Sequence, residues 1–237
     1  MSKLAVQEVE VRFGGVAALV SASLSVQEGS IQGVIGPNGA GKTTLIDVIS
    51  GRRRPTRGKV VLDGVDVTSR TVVWRRRNGM ARTFQRTSVF PMFTVREQFE
   101  MVARGVGTAD DPDEISEILL GLGLRDLADD LCGELSYGQQ RVVDCGLALI
   151  GHPRVVLLDE PGAGLSSAES ALLLDHVAGL CQRNGVAAIL VEHDVDAVFR
   201  VCDAVTVLHL GSVIANGDPA TVRKNPDVVH AYLGAEG

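Results

Sequence analysis

Hydrophobic and polar positions recur along this chain with two periods, and the change from one to the other outlines its architecture. Val9, Val11 and Phe13 alternate with Glu10 and Arg12, the period of two that a half-buried strand requires. Residues 4–28 therefore read as short strands with a turn at Gly14-Gly15, and residues 59–67 as a hairpin closed around Asp63-Gly64. From residue 91 to about 130 the period becomes helical, with Ile115, Ile118, Leu119 and Leu122 on one face. Gly121, Gly123 and Asp110-Asp111-Pro112 break that stretch into short helices. Residues 31–35, 155–158 and 186–191 are short apolar runs, as expected of strands buried on both faces of a parallel sheet. Between and after them, 167–183 and 195–201 are helical and 204–208 is again strand. This βαβα order predicts an α/β domain with a mostly parallel sheet.

The sheet-forming runs lead into candidate chemistry. Gly36-Pro37-Asn38-Gly39-Ala40-Gly41-Lys42-Thr43 fits the phosphate-binding pattern G-x-x-x-x-G-K-[ST], after an apolar run and before a helical stretch (43–50). Glycines let successive backbone N–H groups turn toward phosphate oxygens, and the following helix adds its positive end. Lys42 supplies a mobile cation, and the Thr43 hydroxyl is a ligand for Mg²⁺. The candidate nucleotide contacts are Gly36, Pro37, Asn38, Gly39, Ala40, Gly41, Lys42, Thr43 and Thr44. The run 155–158 ends in Asp159 and Glu160. A carboxylate at a strand end beside such a loop can hold Mg²⁺ through its water shell, and a second can deprotonate an attacking water. Asp159 is assigned to the metal and Glu160 to the base. Ser136 and Gln139 have capping-box spacing, so a helix starts at Ser136; with Gly138 it forms a second candidate anion site.

Composition narrows the picture. With 237 residues, 45% hydrophobic and 22% charged, the chain is globular and can bury a substantial core. A net charge of −6 and 4% aromatics argue against a nucleic-acid partner. Arg52-Arg53-Arg54 and Arg75-Arg76-Arg77 accordingly read as solvated faces, and Met80, Met92 and Met101 as packing residues. Cys132, Cys145, Cys181 and Cys202 form no C-x-x-C pair and read as reduced thiols. The N-terminus has no secretory-signal pattern, and no apolar run approaches 18 residues.

Taken together, these motifs resemble those of ABC-type ATPase subunits over essentially the whole chain. Residues 36–43 resemble that family's Walker A, 155–160 its Walker B, and Leu135-Ser136-Tyr137-Gly138-Gln139 its signature. Gln85, in Ala81-Arg82-Thr83-Phe84-Gln85, resembles the Q-loop residue, and His193 the switch histidine. The resemblance implies a P-loop NTPase (RecA-like) core with an antiparallel β subdomain and an inserted helical subdomain. The expected single domain, 1–237, divides into an antiparallel β layer (1–30 and 58–70), a nucleotide-binding core (31–57 and 141–210), a helical subdomain (88–140) and a C-terminal cap (211–237). ATP and Mg²⁺ are the implied cofactors, with Thr43, Gln85 and Asp159 at the metal and Glu160, His193, Gln85 and Lys42 in hydrolysis. Two such chains, identical or related, would pack head to tail, each ATP lying under Ser136, Gly138 and Gln139 of the other. The adenine-stacking aromatic would be Phe13.

Phe13-Gly14-Gly15, Phe90-Pro91 with Thr94-Val95, Leu135-Ser136-Tyr137-Gly138-Gln139-Gln140-Arg141, Glu192-His193-Asp194 and Ala231-Tyr232-Leu233-Gly234 are similar to the branched-chain amino-acid importer ATPases. That resemblance implies permease subunits in the inner membrane, an external solute-binding protein acting indirectly, and a peripheral place on the cytoplasmic side. The same engine for an amide or urea, and a soluble ABC ATPase without transport, are the alternatives. Lipid-export relatives carry Gly-Gly-Glu where this chain has Tyr137-Gly138-Gln139. The chain departs from the family pattern at Phe13 (usually Tyr), Ser166 (Asp or Asn), Asp144 (Glu) and Leu147 (Arg), and has a short segment between Gln85 and the signature.

Overall fold

In the computed structural model of the chain, residues 2–83, 88–109 and 111–233 are described. Two sheets organise them. The first is antiparallel and starts with β1 (Ser2–Phe13) and β2 (Val16–Gln27), which turn at Gly14-Gly15. β4 (Arg57–Leu62) and β5 (Val65–Asp66) complete it in the order β2-β1-β4-β5. The β4–β5 turn has positive φ at both Asp63 (46°) and Gly64 (78°), the twist that suits a two-residue hairpin.

The second sheet is the core. Its strands are β3 (Ile31–Ile35), β6 (Met80–Arg82), β7 (Val155–Asp159), β8 (Ala187–Val191), β9 (Ala204–His209) and β10 (Ser212–Gly217), ordered β10-β9-β3-β8-β7-β6. All pairings are parallel except β9–β10. β3, β7 and β8 are buried at every position because both faces are covered. Their alternation survives inside the protein. Val156, Leu158, Ala188 and Leu190 face one hydrophobic cluster, whereas Val155, Leu157, Ala187, Ile189 and Val191 face another. Helix α1 (Lys42–Ser50) lies in that second cluster, between the two sheets, with Leu45, Ile46, Val48 and Ile49 all at 0% exposure.

The remaining helices are α2 (Val72–Arg77), α3 (Val95–Val106), α4 (Pro112–Gly121), α5 (Tyr137–Leu149), α6 (Ser167–Arg183), α7 (Val195–Val201), α8 (Pro219–Arg223) and α9 (Pro226–Leu233). Thr94, Ser136 and Ser166 begin α3, α5 and α6 with complete capping boxes, satisfying backbone N–H groups that a helix start leaves open. Phe99 of α3 is wholly buried, and its ring approaches the site where a side chain on Gly146 of α5 would point. That contact ties the helical region to the core.

The structure corrects several expectations. Arg52, Arg53 and Arg54 are exposed, but Arg75 is 1% exposed. Its guanidinium donates to the carbonyls of Val48 (2.9 Å), Ile49, Val67 (2.7 Å), Thr68 (3.1 Å) and Arg70 (3.2 Å). Two of these lie at the C-terminal end of α1, where carbonyls lack helical partners and a cation is favoured. Burial pushes the guanidinium down to about 10, so it remains charged at neutral pH. Met80 is buried, but Met92 is 83% exposed and does not pack in the core. β6 is an additional core strand, too short and too polar at Arg82 for periodicity to reveal. β10 pairs with β9, so the start of the segment 211–237 extends the core sheet instead of capping it.

Candidate active site

The loop between β3 and α1 has a shape only glycine allows. Gly36 has φ 151°, and a Cβ there would lie 2.1 Å from the Leu208 carbonyl. Gly41 has φ 107°, and its Cβ would meet the Ala18 carbonyl at 2.7 Å. Gly41 also occupies the cap position of α1, where no side chain satisfies the first-turn N–H groups. Those donors are therefore suited to an anion. Lys42 is 6% exposed, and its Nζ donates to the carbonyls of Gly36 (2.7 Å) and Pro37 (3.2 Å). Burial lowers its pKa, and the nearby Glu160 charge opposes that shift. A cleft of about 210 Å³ opens here, lined by Asn38, Gly39, Ala40, Gly41, Lys42, Thr43 and Thr44 with Ala18, Glu160 and His193.

The carboxylates come from the end of β7. Asp159 Oδ2 accepts from Arg82 Nη2 at 2.8 Å, and its backbone N–H donates to Thr83 Oγ1 at 3.1 Å. Its Oδ1 is buried and has no hydrogen-bond partner among the described residues. A buried, unpartnered carboxylate oxygen and the Thr43 hydroxyl are hard oxygen donors, the type Mg²⁺ prefers. No cluster of three His, Cys, Asp or Glu that could hold a metal occurs among the described residues.

Glu160 has φ 51°, unusual for a residue with a side chain. Its backbone is clamped on both sides: its N–H donates to the Val191 carbonyl (2.9 Å), and its carbonyl accepts from Arg141 Nη2 (2.5 Å). This backbone arrangement directs the carboxylate to His193, with Oε1 2.8 Å from Nε2. The Glu160 side chain is 17% exposed and that of His193 54%. A carboxylate beside an imidazole at the mouth of an anion-binding cleft can take a proton from water. Glu192 supports the same corner. Its Oε1 accepts from Gly162 N–H (2.6 Å) and its Oε2 from His193 N–H (3.2 Å). Burial raises the Glu192 carboxyl above its ordinary range.

Ser136, Gly138 and Gln139 sit elsewhere. They line a separate cavity of about 360 Å³ with Leu165, Leu172 and His176. Ser136 Oγ accepts from Gln139 N–H (3.2 Å), while Gln139 Oε1 accepts from Ser136 N–H (2.8 Å). Phe13 is 45% exposed and does not line the loop cleft; the Arg53 guanidinium lies 4.1 Å from its ring centre. Gln85 lies outside the described residues. At Ser166 the departure from the family pattern is a helix cap, its hydroxyl donating to Glu169 Oε2 at 2.6 Å. Asp144 is 3.7 Å from Arg141 Nη1 and accepts from Ser88 N–H (3.1 Å), and burial raises its pKa. Leu147 lines a largely apolar groove of about 370 Å³ between the core and the helical region, with Val72, Met80, Phe90, Met101 and Val102.

Sequence reasoning missed the supporting roles of Arg82, Arg141 and Glu192. All three stand inside quoted motifs, and a charge beside an apolar run was the available signal.

Residues 19–163 match the ABC transporter family, and residues 212–237 match the branched-chain amino acid ATP-binding cassette transporter family. The high-affinity branched-chain amino acid transport ATP-binding protein BraF of Pseudomonas aeruginosa is 33% identical, over 98% of this chain and 97% of its own length. The probable LivG of Archaeoglobus fulgidus is 35% identical, over 100% and 97%. Among solved structures, the ADP conformation of an ATP-binding cassette of an ABC transporter superposes with a TM-score of 0.87 at 30% identity, covering 99% of both chains.

Proposed function

This chain belongs to the ABC transporter family as an ATP-binding, ATP-hydrolysing subunit, and on that premise we propose that it powers an importer of branched-chain amino acids. The observation that carries the chemistry is the Glu160–His193 pair at 2.8 Å, in one cleft with Lys42 and Thr43. Water attacks the γ-phosphorus of ATP and gives its proton to Glu160, while the bond to the ADP oxygen breaks. His193 orients Glu160 and contacts the γ-phosphate; Lys42 and the loop N–H groups bind the β- and γ-phosphates. Thr43 and Asp159 would hold Mg²⁺, which when bound would neutralise phosphate charge. Gln85 is assigned to the metal and the attacking water by its motif alone.

The signature residues reinforce a two-chain reading. They line a cavity separate from the cleft with Lys42, so their phosphate contacts are assigned to the ATP of a second ABC chain, identical or related. Permease subunits are assigned to the groove lined by Leu147, Phe90 and Val72, the last two being exposed apolar side chains. No helix among the described residues is long and apolar enough to cross a membrane. Binding to the permeases would hold the chain at the cytoplasmic side of the inner membrane, and an external solute-binding protein would select the cargo. The cargo reading draws on the names of the relatives and on the 212–237 match.

The test is Glu160→Gln. This variant keeps ATP binding, slows turnover at least ~100-fold, the usual scale of general-base loss, and elutes as a dimer in ATP and Mg²⁺. Turnover at the parent rate would remove Glu160 as the base. Leucine-stimulated hydrolysis, read in vesicles with the co-purifying permeases and binding protein, checks the cargo; stimulation by an amide or urea instead would reassign it.

A further inference from the structure

Asp159 presents a problem of electrostatics that the structure solves with one side chain. Its carboxylate side chain is 2% exposed. A buried carboxylate without a partner is costly and tends to turn away or take up a proton. Arg82, 9% exposed at its side chain, reaches it from β6: Nη2 lies 2.8 Å from Asp159 Oδ2. The other end of the guanidinium is also engaged. Nη1 donates to Asp47 Oδ1 (2.6 Å) and Ser50 Oγ (3.0 Å), both on α1. α1 is the helix that begins with Lys42 and Thr43. One planar group therefore spans the phosphate-binding helix and the strand-end carboxylate. The neighbouring residue assists, since Thr83 N–H donates to Leu157 O (2.9 Å) while Thr83 Oγ1 accepts from Asp159 N–H (3.1 Å).

We propose that Arg82 is a positioning residue for Asp159: it occupies Oδ2, leaves the unpartnered Oδ1 to the metal's water shell, and sets the spacing of Asp159 from Thr43 by anchoring on α1. This deepens the proposed function and rests on its assignment of Mg²⁺ to Thr43 and Asp159. The geometry has a specific requirement. Two carboxylates on two elements call for a planar fork, and a lysine ammonium, a point charge on a longer flexible stem, holds one of them well but not both.

The experiment reads metal binding, not turnover alone. In the Glu160→Gln background with saturating ATP, Mn²⁺ binding is measured by electron paramagnetic resonance. Arg82→Met weakens Mn²⁺ binding ~10–100-fold, the usual scale for removing a group that orients a metal ligand. ATP binding without metal changes less than about threefold, because Arg82 does not line the loop cleft. Arg82→Lys recovers part of the affinity, and Asp47→Asn, which loosens the α1 anchor and a longer pairing with the exposed Arg52 (3.9 Å), gives a smaller loss of the same sign. Should Arg82→Met fail to fold, Arg82→Lys and Asp47→Asn read the same quantity. Unchanged or tighter Mn²⁺ binding in the folded variants overturns the role of Arg82. If the Glu160→Gln parent itself binds no Mn²⁺ with ATP, the metal assignment falls and this inference with it; a parent that binds while the Arg82 variants match it overturns this inference alone.

Discussion

Arg75 is a buried cation held by backbone oxygen, and its removal has a calculable consequence. Arg75→Ala takes away a guanidinium that donates to five carbonyls, two of them at the end of α1. A first charged hydrogen bond contributes about 1.5–3 kcal/mol net, and further bonds to the same group add less. Truncation also leaves a cavity, while the desolvation penalty reflected in the lowered pKa is recovered. The expected loss is about 3–5 kcal/mol, a large part of a typical total of 5–15. For a chain of this size that lowers the melting temperature by roughly 6–20 °C. Thermal unfolding by circular dichroism reads it directly, with Arg77→Ala as the control, because Arg77 is exposed and its loss should cost less than about 0.5 kcal/mol. A melting temperature for Arg75→Ala within about 2 °C of the parent would refute the reasoning. The carbonyls would then be satisfied by water, and the residue would be a tolerated burial.

Two further outcomes follow from the site. Gly36→Ala places a Cβ 2.1 Å from the Leu208 carbonyl at a φ of 151°, so nucleotide affinity measured by calorimetry should fall at least ~10-fold and stability by about 2 kcal/mol or more; an unchanged affinity would mean the loop relaxes freely. Glu192 concerns pH. Burial raises its folded pKa above the unfolded value near 4.3, so between the two the folded chain binds more protons than the unfolded chain. Its contribution is therefore most favourable below that unfolded value and declines as pH rises through the folded one. Glu192→Gln removes this dependence, so the variant's stability relative to the parent should rise across that window in chemical denaturation between pH 4 and 8; parallel curves would contradict the shift.

Local patterns in the chain carried much of the architecture and chemistry. Ser136 and Gln139 announce a helix start from four consecutive residues, and α6 occupies the expected 167–183, because capping and periodicity are short-range effects that sequence displays directly. The phosphate loop and the two strand-end carboxylates are short runs that the sequence displays directly, whereas His193 stood out only through the family resemblance, and its place 2.8 Å from Glu160 is a product of the fold. Tertiary structure decided what depended on distant partners. Arg75 and Arg77 look alike in sequence, yet one is buried on the carbonyls of α1 and the other lies in solvent, because only packing brings residues 48 and 75 together. β6 is a strand because β7 offers it an edge 75 residues later, Met80 pairing with Val155, a pairing with no local signature. The 77-residue reach from Arg82 to Asp159 likewise exists only once the sheet has formed. Short-range steric preferences name the elements; burial and electrostatic pairing select which side chains do the holding.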